Sequence, residues 1–289
     1  MLRYRGIPNT LLAVGRERIA LDNERFVGAV GFRQNEQTFD AATIVNTSIT
    51  DLELRYDYVA SVQRIFGEDN RQGDWNTESH FFHAALARYA FAKAAGYGYL
   101  LDIDDDRTLH SQTYGLRLTG DHPYMGVKFG YALEYAHQSD YEGNPRNFSL
   151  DYYLIEPRVQ AGWATVWLGY ESLEGNGVSA FQTPMATLHK FNGFADKFLT
   201  TPASGLIDRY AGISFRLGDV VGFNGVTLQG IYHDYNTARG DADLGSEFNA
   251  ELSGLVFKRY RLTLKYAHYV ADGFATDTNK MWMLVDVNF

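Results

Sequence analysis

One pattern constrains this chain more than any other. Apolar and polar residues alternate with a period of two, over runs longer than an ordinary half-buried strand needs. Asp51 to Gln63 is the clearest run, with Leu52, Leu54, Tyr56, Tyr58, Ala60 and Val62 on one face and Glu53, Arg55, Asp57, Ser61 and Gln63 on the other. Gly126 to Gln138 sets Val127, Phe129, Tyr131, Leu133 and Tyr135 against Lys128, Gly130, Ala132, Glu134 and Gln138. Tyr260 to Tyr269 sets Leu262, Leu264 and Tyr266 against Arg261, Thr263 and Lys265. The closing stretch Lys280 to Phe289 puts Met281, Met283, Val285, Val287 and Phe289 opposite Trp282, Asp286 and Asn288. A strand built this way is wet on one side and greasy on the other.

Turn-bounded runs of this kind number about 14, within the range of closed membrane barrels in which lipid-facing and lumen-facing residues alternate. The chain therefore reads as all-β: a transmembrane, antiparallel, up-and-down β-barrel, with residues 1–289 forming one domain. The segment 79–91 fits least well, because His83 to Lys93 is rich in Ala and Leu and has helix propensity. Connections near 49–50, 92–95, 121–125, 161, 218–224 and 258 are short, whereas those at 21–36, 65–78, 139–147, 174–205, 237–245 and 271–279 are longer and rich in Asp, Asn, Gly and Arg. Short turns on one side and long loops on the other are the pattern of bacterial outer-membrane barrels, with the short turns periplasmic.

Composition agrees. Hydrophobic content is 45%, yet mean hydropathy is −0.28, the balance of alternation and not of continuous apolar runs. A helical span needs about 18 or more consecutive apolar residues. The nearest stretch, Phe81 to Ile103, is broken by His83, Arg88 and Lys93. With 20 Tyr, 19 Phe and 28 Gly but only 6 Pro, the chain suits long strands and tight turns. The absence of Cys excludes a disulfide framework and any thiolate metal site. A net charge of −9 leaves no basic surplus for phosphate backbones, so nucleic acid is not an expected partner. Met1 is followed by no apolar segment of the signal-peptide kind, so such a peptide is absent or already removed.

The last strand, ending in Phe289, resembles the signal by which bacterial outer-membrane proteins engage the barrel assembly machinery. That machinery and outer-membrane lipid are the expected partners. Two stretches carry a more specific likeness. Gly15 to Ala41, which contains Arg16-Glu-Arg-Ile19, Asp22-Asn-Glu-Arg-Phe-Val-Gly28 and Arg33-Gln-Asn-Glu-Gln-Thr-Phe-Asp40, resembles the alginate-export-type outer-membrane porins. Phe181 to Asp208 resembles the long loop of the same group. The resemblance implies an outer-membrane channel and a barrel of roughly 18 strands, an even number ordinary for single-chain porins. Against the strands read here, it leads to the expectation that the first strands and the signal peptide lie outside this sequence; a smaller closed barrel is the alternative.

Chemistry then rests on the wet face and the long loops. Rings of charged side chains select permeants by sign, Arg and Lys favouring anions, and a guanidinium fork matches a carboxylate. The basic wall candidates are Arg16 and Arg18 near the rim, then Arg55, Arg117, Lys128, Arg261 and Lys265. Arg25, Arg33, Asn35 and Gln37 are expected to line the first long loop, at 21–36. The loop at 174–205 holds Phe181, Leu188, Phe191, Phe194 and Phe198, which folding into the lumen would bury, presenting Lys190 and Lys197 to the channel. Such a track would pass an anionic carbohydrate, a uronate chain such as alginate, passively or by weak multi-site binding. Two other readings stay open: a general porin whose charges only pair with each other, and a plugged structural or adhesive barrel.

Catalytic signatures are missing. The sequence has no G-x-S-x-G, H-E-x-x-H or P-loop. A histidine among His80, His83, His110, His122, His137, His233 and His268 placed beside a serine is the one remaining route to hydrolysis. His189 has no partner at ligand spacing, and Asp102 to Asp106 lacks the Gly and distal Glu of a calcium loop. No enzyme, cofactor or metal is expected.

Overall fold

The computed structural model describes residues 1–67 and 69–287. Strands run in chain order as β1 (Leu2–Tyr4), β2 (Thr10–Glu17), β3 (Thr38–Asn46), β4 (Leu52–Gln63), β5 (Asp74–Tyr89), β6 (Ala92–Leu101), β7 (Ser111–Tyr124), β8 (Val127–Asp140), β9 (Ser149–Ala161), β10 (Ala164–Leu173), β11 (Leu206–Val220), β12 (Phe223–Asn236), β13 (Asp243–Val256), β14 (Tyr260–Ala271) and β15 (Thr278–Val287). Each pairs antiparallel with the next, giving a single 15-stranded meander. The count exceeds the expected one by the three-residue β1, too short for alternation to reveal. β1 and β15 are the edges of the sheet and do not pair with each other among the described residues.

The sheet curls, because residues from distant strands share one interior. Phe39 of β3, Phe81 of β5, Tyr152 of β9, Tyr235 of β12 and Tyr269 of β14 belong to one buried cluster. The opposite face carries Phe129, Ile155, Val166, Leu168, Phe248, Met281 and Met283 exposed, as a lipid-facing band requires. On β8 the expected alternation holds, with Ala132, Glu134 and Gln138 buried while Phe129, Leu133 and Tyr135 face out.

Two stretches owe their form to local causes. The helix-prone stretch lies in β5 and the start of β6, because Trp75, Thr77, Ser79, Phe81 and His83 bury one face at period two and both neighbours pair with it. Tertiary pairing overrides propensity there. In β4 a bulge at Ala60 shifts the register on both sides, so Val59 and Val62 both turn inward and Ala60 stays exposed. Val62 therefore does not share the lipid face with Leu54 and Tyr56. Phe289 lies outside the described residues, as does Glu68.

The two longest connections, between β2 and β3 and between β10 and β11, run inside the curled sheet. Phe26, Val27 and Ala29 of the first and Phe181, Met185 and Ala195 of the second are buried.

An arginine at mid-strand on the lipid face of a barrel costs about 2–4 kcal/mol. Leu168→Arg, at the middle of β10 and outward-facing, is expected to destabilise the folded protein in vesicles by that amount in urea titrations. Gln229→Arg, on the inward face of β12, is expected to cost less than half as much.

Candidate functional site: an inner cavity beneath two locked loops

The interior is organised by Arg25. Its side chain is 2% exposed. Nε donates to Glu171 Oε1 on β10 at 2.7 Å, Nη1 to Thr183 Oγ1 at 3.1 Å and Nη2 to Asn192 Oδ1 at 3.1 Å. The Phe191 and Tyr152 rings flank the guanidinium, with centres at 4.9 and 5.8 Å. Burial alone would lower its pKa, yet Glu171 and Tyr152 together, by attraction and hydrogen bonding, hold it above its ordinary value. Glu171 is saturated in turn by Tyr152 Oη at 2.7 Å and Asn192 Nδ2 at 2.6 Å.

Around this node the loops zip together. Gly28 N donates to Met185 O at 2.9 Å, Val30 N to Thr187 Oγ1 at 2.9 Å and Thr187 N to Glu24 O at 3.1 Å. Gln37 Nε2 bridges the carbonyls of Gly28 and Met185 at 2.8 and 2.9 Å. Only glycine fits at residue 28, where a Cβ would collide with Thr187 and Glu24. The far end of the second loop is tied to the wall, with Phe194 N on Asn249 Oδ1 at 3.0 Å and Ala195 N on Glu247 Oε1 at 2.7 Å.

Beneath the loops, toward the short-turn end, lies a cavity of about 320 Å³. Arg117 of β7, Arg158 of β9 and Lys190 of the loop reach it, together with Trp167 of β10 and Tyr210 of β11. Trp167 lies flat on the wall because its neighbour in register is Gly212, where a Cβ would overlap the indole. A second cavity, lined by Lys93 and Thr119 among others, shares Asn23 and Arg117 with the first and continues toward the short-turn end.

The carboxylates are paired, but cation and carboxylate are unequally exposed. Arg117 is 11% exposed against 0% for its partner Glu134, which also accepts from Tyr97 Oη at 2.8 Å. Asp208 is 1% exposed and accepts from Asn192 Nδ2 at 3.1 Å, with His233 Nδ1 at 2.9 Å. Arg158 reaches Asp121 at 2.9 Å, and these two are equally exposed, at 35% and 36%. Lys190 is exposed and donates to Asn23 O, at 2.9 Å. The cavity wall thus turns cations to the water and holds most carboxylates behind them.

Among the expected lining residues, Arg117 and Lys190 meet at this cavity. Arg25 and Gln37 do not: both are closed off from solute, because loop packing buries them as braces. Arg16 is also displaced. It pairs in register with Asp40, on the face opposite buried Phe39 and Ala41, and is hydrogen-bonded to it at 2.9 Å on the outside of the rim. Arg18 pairs with Glu36 at 3.0 Å, and Arg33 lies over Phe32 with Asn35 exposed nearby in sequence. Arg55 pairs with Asp57 at 2.8 Å, Lys128 with Asp121 at 3.7 Å and Lys265 with Glu251 at 3.4 Å. Lys197 lies over Tyr269, and Arg261 is exposed on β14 beside Asp286 in register. Arg158, Trp167 and Tyr210 were not singled out from the sequence, although Arg158 has the parity of Tyr152 and Leu154 and Trp167 that of Glu171.

His137 is a histidine that meets a serine. Its Nε2 lies 3.3 Å from Ser149 Oγ and its Nδ1 2.8 Å from Asp151 Oδ1. The group sits on the outward face near the long-loop rim, Asp151 is shared with Tyr135 and Tyr153, and none of the cavities described here opens on Ser149. It is a polar cluster of the aromatic girdle. No group of His, Asp and Glu suited to a metal occurs among the described residues.

Residues 5–172 match the family model for alginate export. A search of curated proteins finds no match. In fold the chain is similar to Pseudomonas aeruginosa OccK3 (OpdO), at 18% identity and a TM-score of 0.75, covering 96% of this chain and 76% of that one. It is similar to Acinetobacter baumannii OccAB2, at 15% identity and a TM-score of 0.78, covering 97% and 74%. It is also similar to Pseudomonas aeruginosa OpdK, solved with vanillate, at 13% identity and a TM-score of 0.75, covering 98% and 76%.

Removing one partner of a buried ion pair costs about 3–5 kcal/mol, because the other charge is stranded. Arg25→Met is expected to destabilise the barrel to that extent and to open residues 174–205 to protease. Arg25→Met with Glu171→Gln should recover at least half of the loss.

Proposed function

Because the chain belongs to the alginate-export family, whose model matches more than half of it, and is an outer-membrane channel and not an enzyme, we propose that it passes anionic carbohydrates of the uronate type. The observation that carries this reading is the convergence of Arg117, Arg158 and Lys190 with Trp167 and Tyr210 on one cavity. A guanidinium fork or an ammonium group takes the carboxylate. The Trp167 face takes the apolar side of a sugar ring. Glu156, on the cavity lining, offers an acceptor for a ring hydroxyl. Weak binding at several such points allows a solute both to enter and to leave.

Two comparisons lend support. The matching family model is described by alginate export, and alginate is a uronate polymer. OpdK is seen with vanillate, itself a carboxylate. For assembly, the alternating β15, with Met281, Met283 and Val285 outward, is the segment that the barrel assembly machinery would engage. The plugged structural barrel is the competing reading, favoured by the tight Arg25 node; it requires that the folded protein conduct nothing.

Planar-bilayer recordings separate the two. The wild-type protein is expected to favour anions and to show current block by mannuronate oligomers. Combining Arg117→Gln, Arg158→Gln and Lys190→Gln should move the reversal potential toward cations, and Trp167→Ala should weaken the block about tenfold while sparing ion selectivity. An unchanged reversal potential in the triple variant, or no conductance from folded wild-type protein, would overturn the proposal.

A further inference from the structure

A cavity of about 480 Å³ opens at the long-loop, extracellular end. It lies between the β4–β5, β6–β7, β8–β9 and β10–β11 connections, and no residue lines both it and the inner cavity. Two cations, Arg64 and Arg146, border it, and neither pairs with a carboxylate among the described residues. The one carboxylate in the lining, Asp106, already accepts from Thr108 N at 3.0 Å and Thr108 Oγ1 at 2.6 Å.

Arg64 is held by an aromatic ring instead of an anion. Its guanidinium lies 3.8 Å from the Trp75 ring centre and 4.9 Å from that of Phe66. Of its five N–H donors, one side-chain hydrogen bond is made among the described residues, Nη1 to Gln72 O at 3.4 Å. Burial lowers its pKa below the ordinary value with no opposing charge. A pre-oriented, partly desolvated fork with most of its donors unused among the described residues is a group prepared for an anion.

The floor is rigid. Gln182 Nε2 donates to Thr201 O at 2.9 Å, Thr201 N to Gln182 Oε1 at 3.1 Å and Gln182 N to Gln138 Oε1 at 2.9 Å. Beside it the Ser179 hydroxyl is buried with no hydrogen-bond partner among the described residues. A buried, unpaired hydroxyl is costly unless a ligand or water completes it. Leu109 and Phe148 supply an apolar wall.

We propose that this mouth is a second, outer binding site, in which Arg64 and Arg146 take the carboxylate of a uronate while Ser179 meets a ring hydroxyl. The inference rests on the uronate reading of the channel, but its site is independent of the inner cavity. It places a loading or release point outside the locked loops, so that a solute is held at both ends of the constriction.

Titration calorimetry on the full chain folded in detergent, with D-glucuronate as probe, tests it. Arg64→Gln with Arg146→Gln is expected to weaken binding about tenfold or more, whereas Arg117→Gln with Arg158→Gln leaves the outer affinity unchanged. Arg64→Lys keeps the charge but loses the planar fork, and should fall between. Ser179→Ala removes a hydroxyl with no partner among the described residues, so the fold is kept, and binding should weaken about threefold. Circular dichroism confirms the folded state of each variant. Glucuronate affinity within twofold of wild type in both the double arginine variant and Ser179→Ala would overturn the proposal, as would equal displacement by inorganic phosphate. Calorimetry reads binding and not passage, so a barrel that binds glucuronate but conducts nothing would leave this site standing and remove only the channel reading.

Discussion

A guanidinium withdrawn from water is the interaction on which the interior depends. Arg25 cannot be buried alone, since an isolated charge in a medium of low dielectric is far too costly. It therefore demands acceptors, and Glu171, Thr183 and Asn192 supply them from β10 and from the second inward loop. Satisfying one side chain thus ties residue 25 to residues about 150 positions later in the sequence, and two long connections become one packed body. The backbone zipper between Gly28, Val30, Met185 and Thr187 follows the same alignment. So does the inner cavity, because Asn23 and Lys190, on either side of the node, are part of its lining. Without the ion pair, the loops would keep their apolar residues but lose the register that makes a cavity of them.

The wall was legible in the sequence because each strand has two environments and one periodicity. Greasy outward residues and wet or packed inward ones alternate on β8 and on β15 as period two requires. Legibility ended where the backbone broke its own rhythm. The bulge at Ala60 is invisible in composition and turns Val59 and Val62 to the same side. At residues 83–93 Ala and Leu report a local helix preference, yet the strand expected over 79–91 forms, because strand pairing on both sides decides the outcome.

The site was less legible than the wall. Parity assigned Arg117 to the inside correctly, since β7 has no bulge in its pairing with β6 or β8. Parity said nothing of the loops, where Arg25 and Arg33 look alike in sequence and end as a buried brace and an exposed rim residue. Arg16 is expected on the wet face of the wall near the rim, whereas its register partner Asp40 lies between two inward residues, which turns the pair outward. Trp167 escaped notice for a different reason. An aromatic on an alternating strand is counted with the lipid face by default, and only its parity with Glu171 argues otherwise.

Pairing of charges does not make the lumen electrically neutral where a solute would sense it. Arg117 and Arg55 are 11% and 17% exposed, while their partners Glu134 and Asp57 are at 0%. Each such pair is a dipole whose positive end is nearer the water. A carboxylate arriving at the surface meets the cation at contact distance and the anion one side chain further away, through protein of low dielectric in which the difference is not screened. Net charge over the pair is zero, yet its positive end lies nearer the water. In a protein of net charge −9, Glu134 and Asp57 are wall carboxylates that sit behind arginine, whereas Asp121 and Glu251 stay as exposed as their cations or more so. Neutralising the cations alone would expose buried carboxylates to the lumen and invert the sign of the field, which is a stronger effect than the loss of an isolated charge.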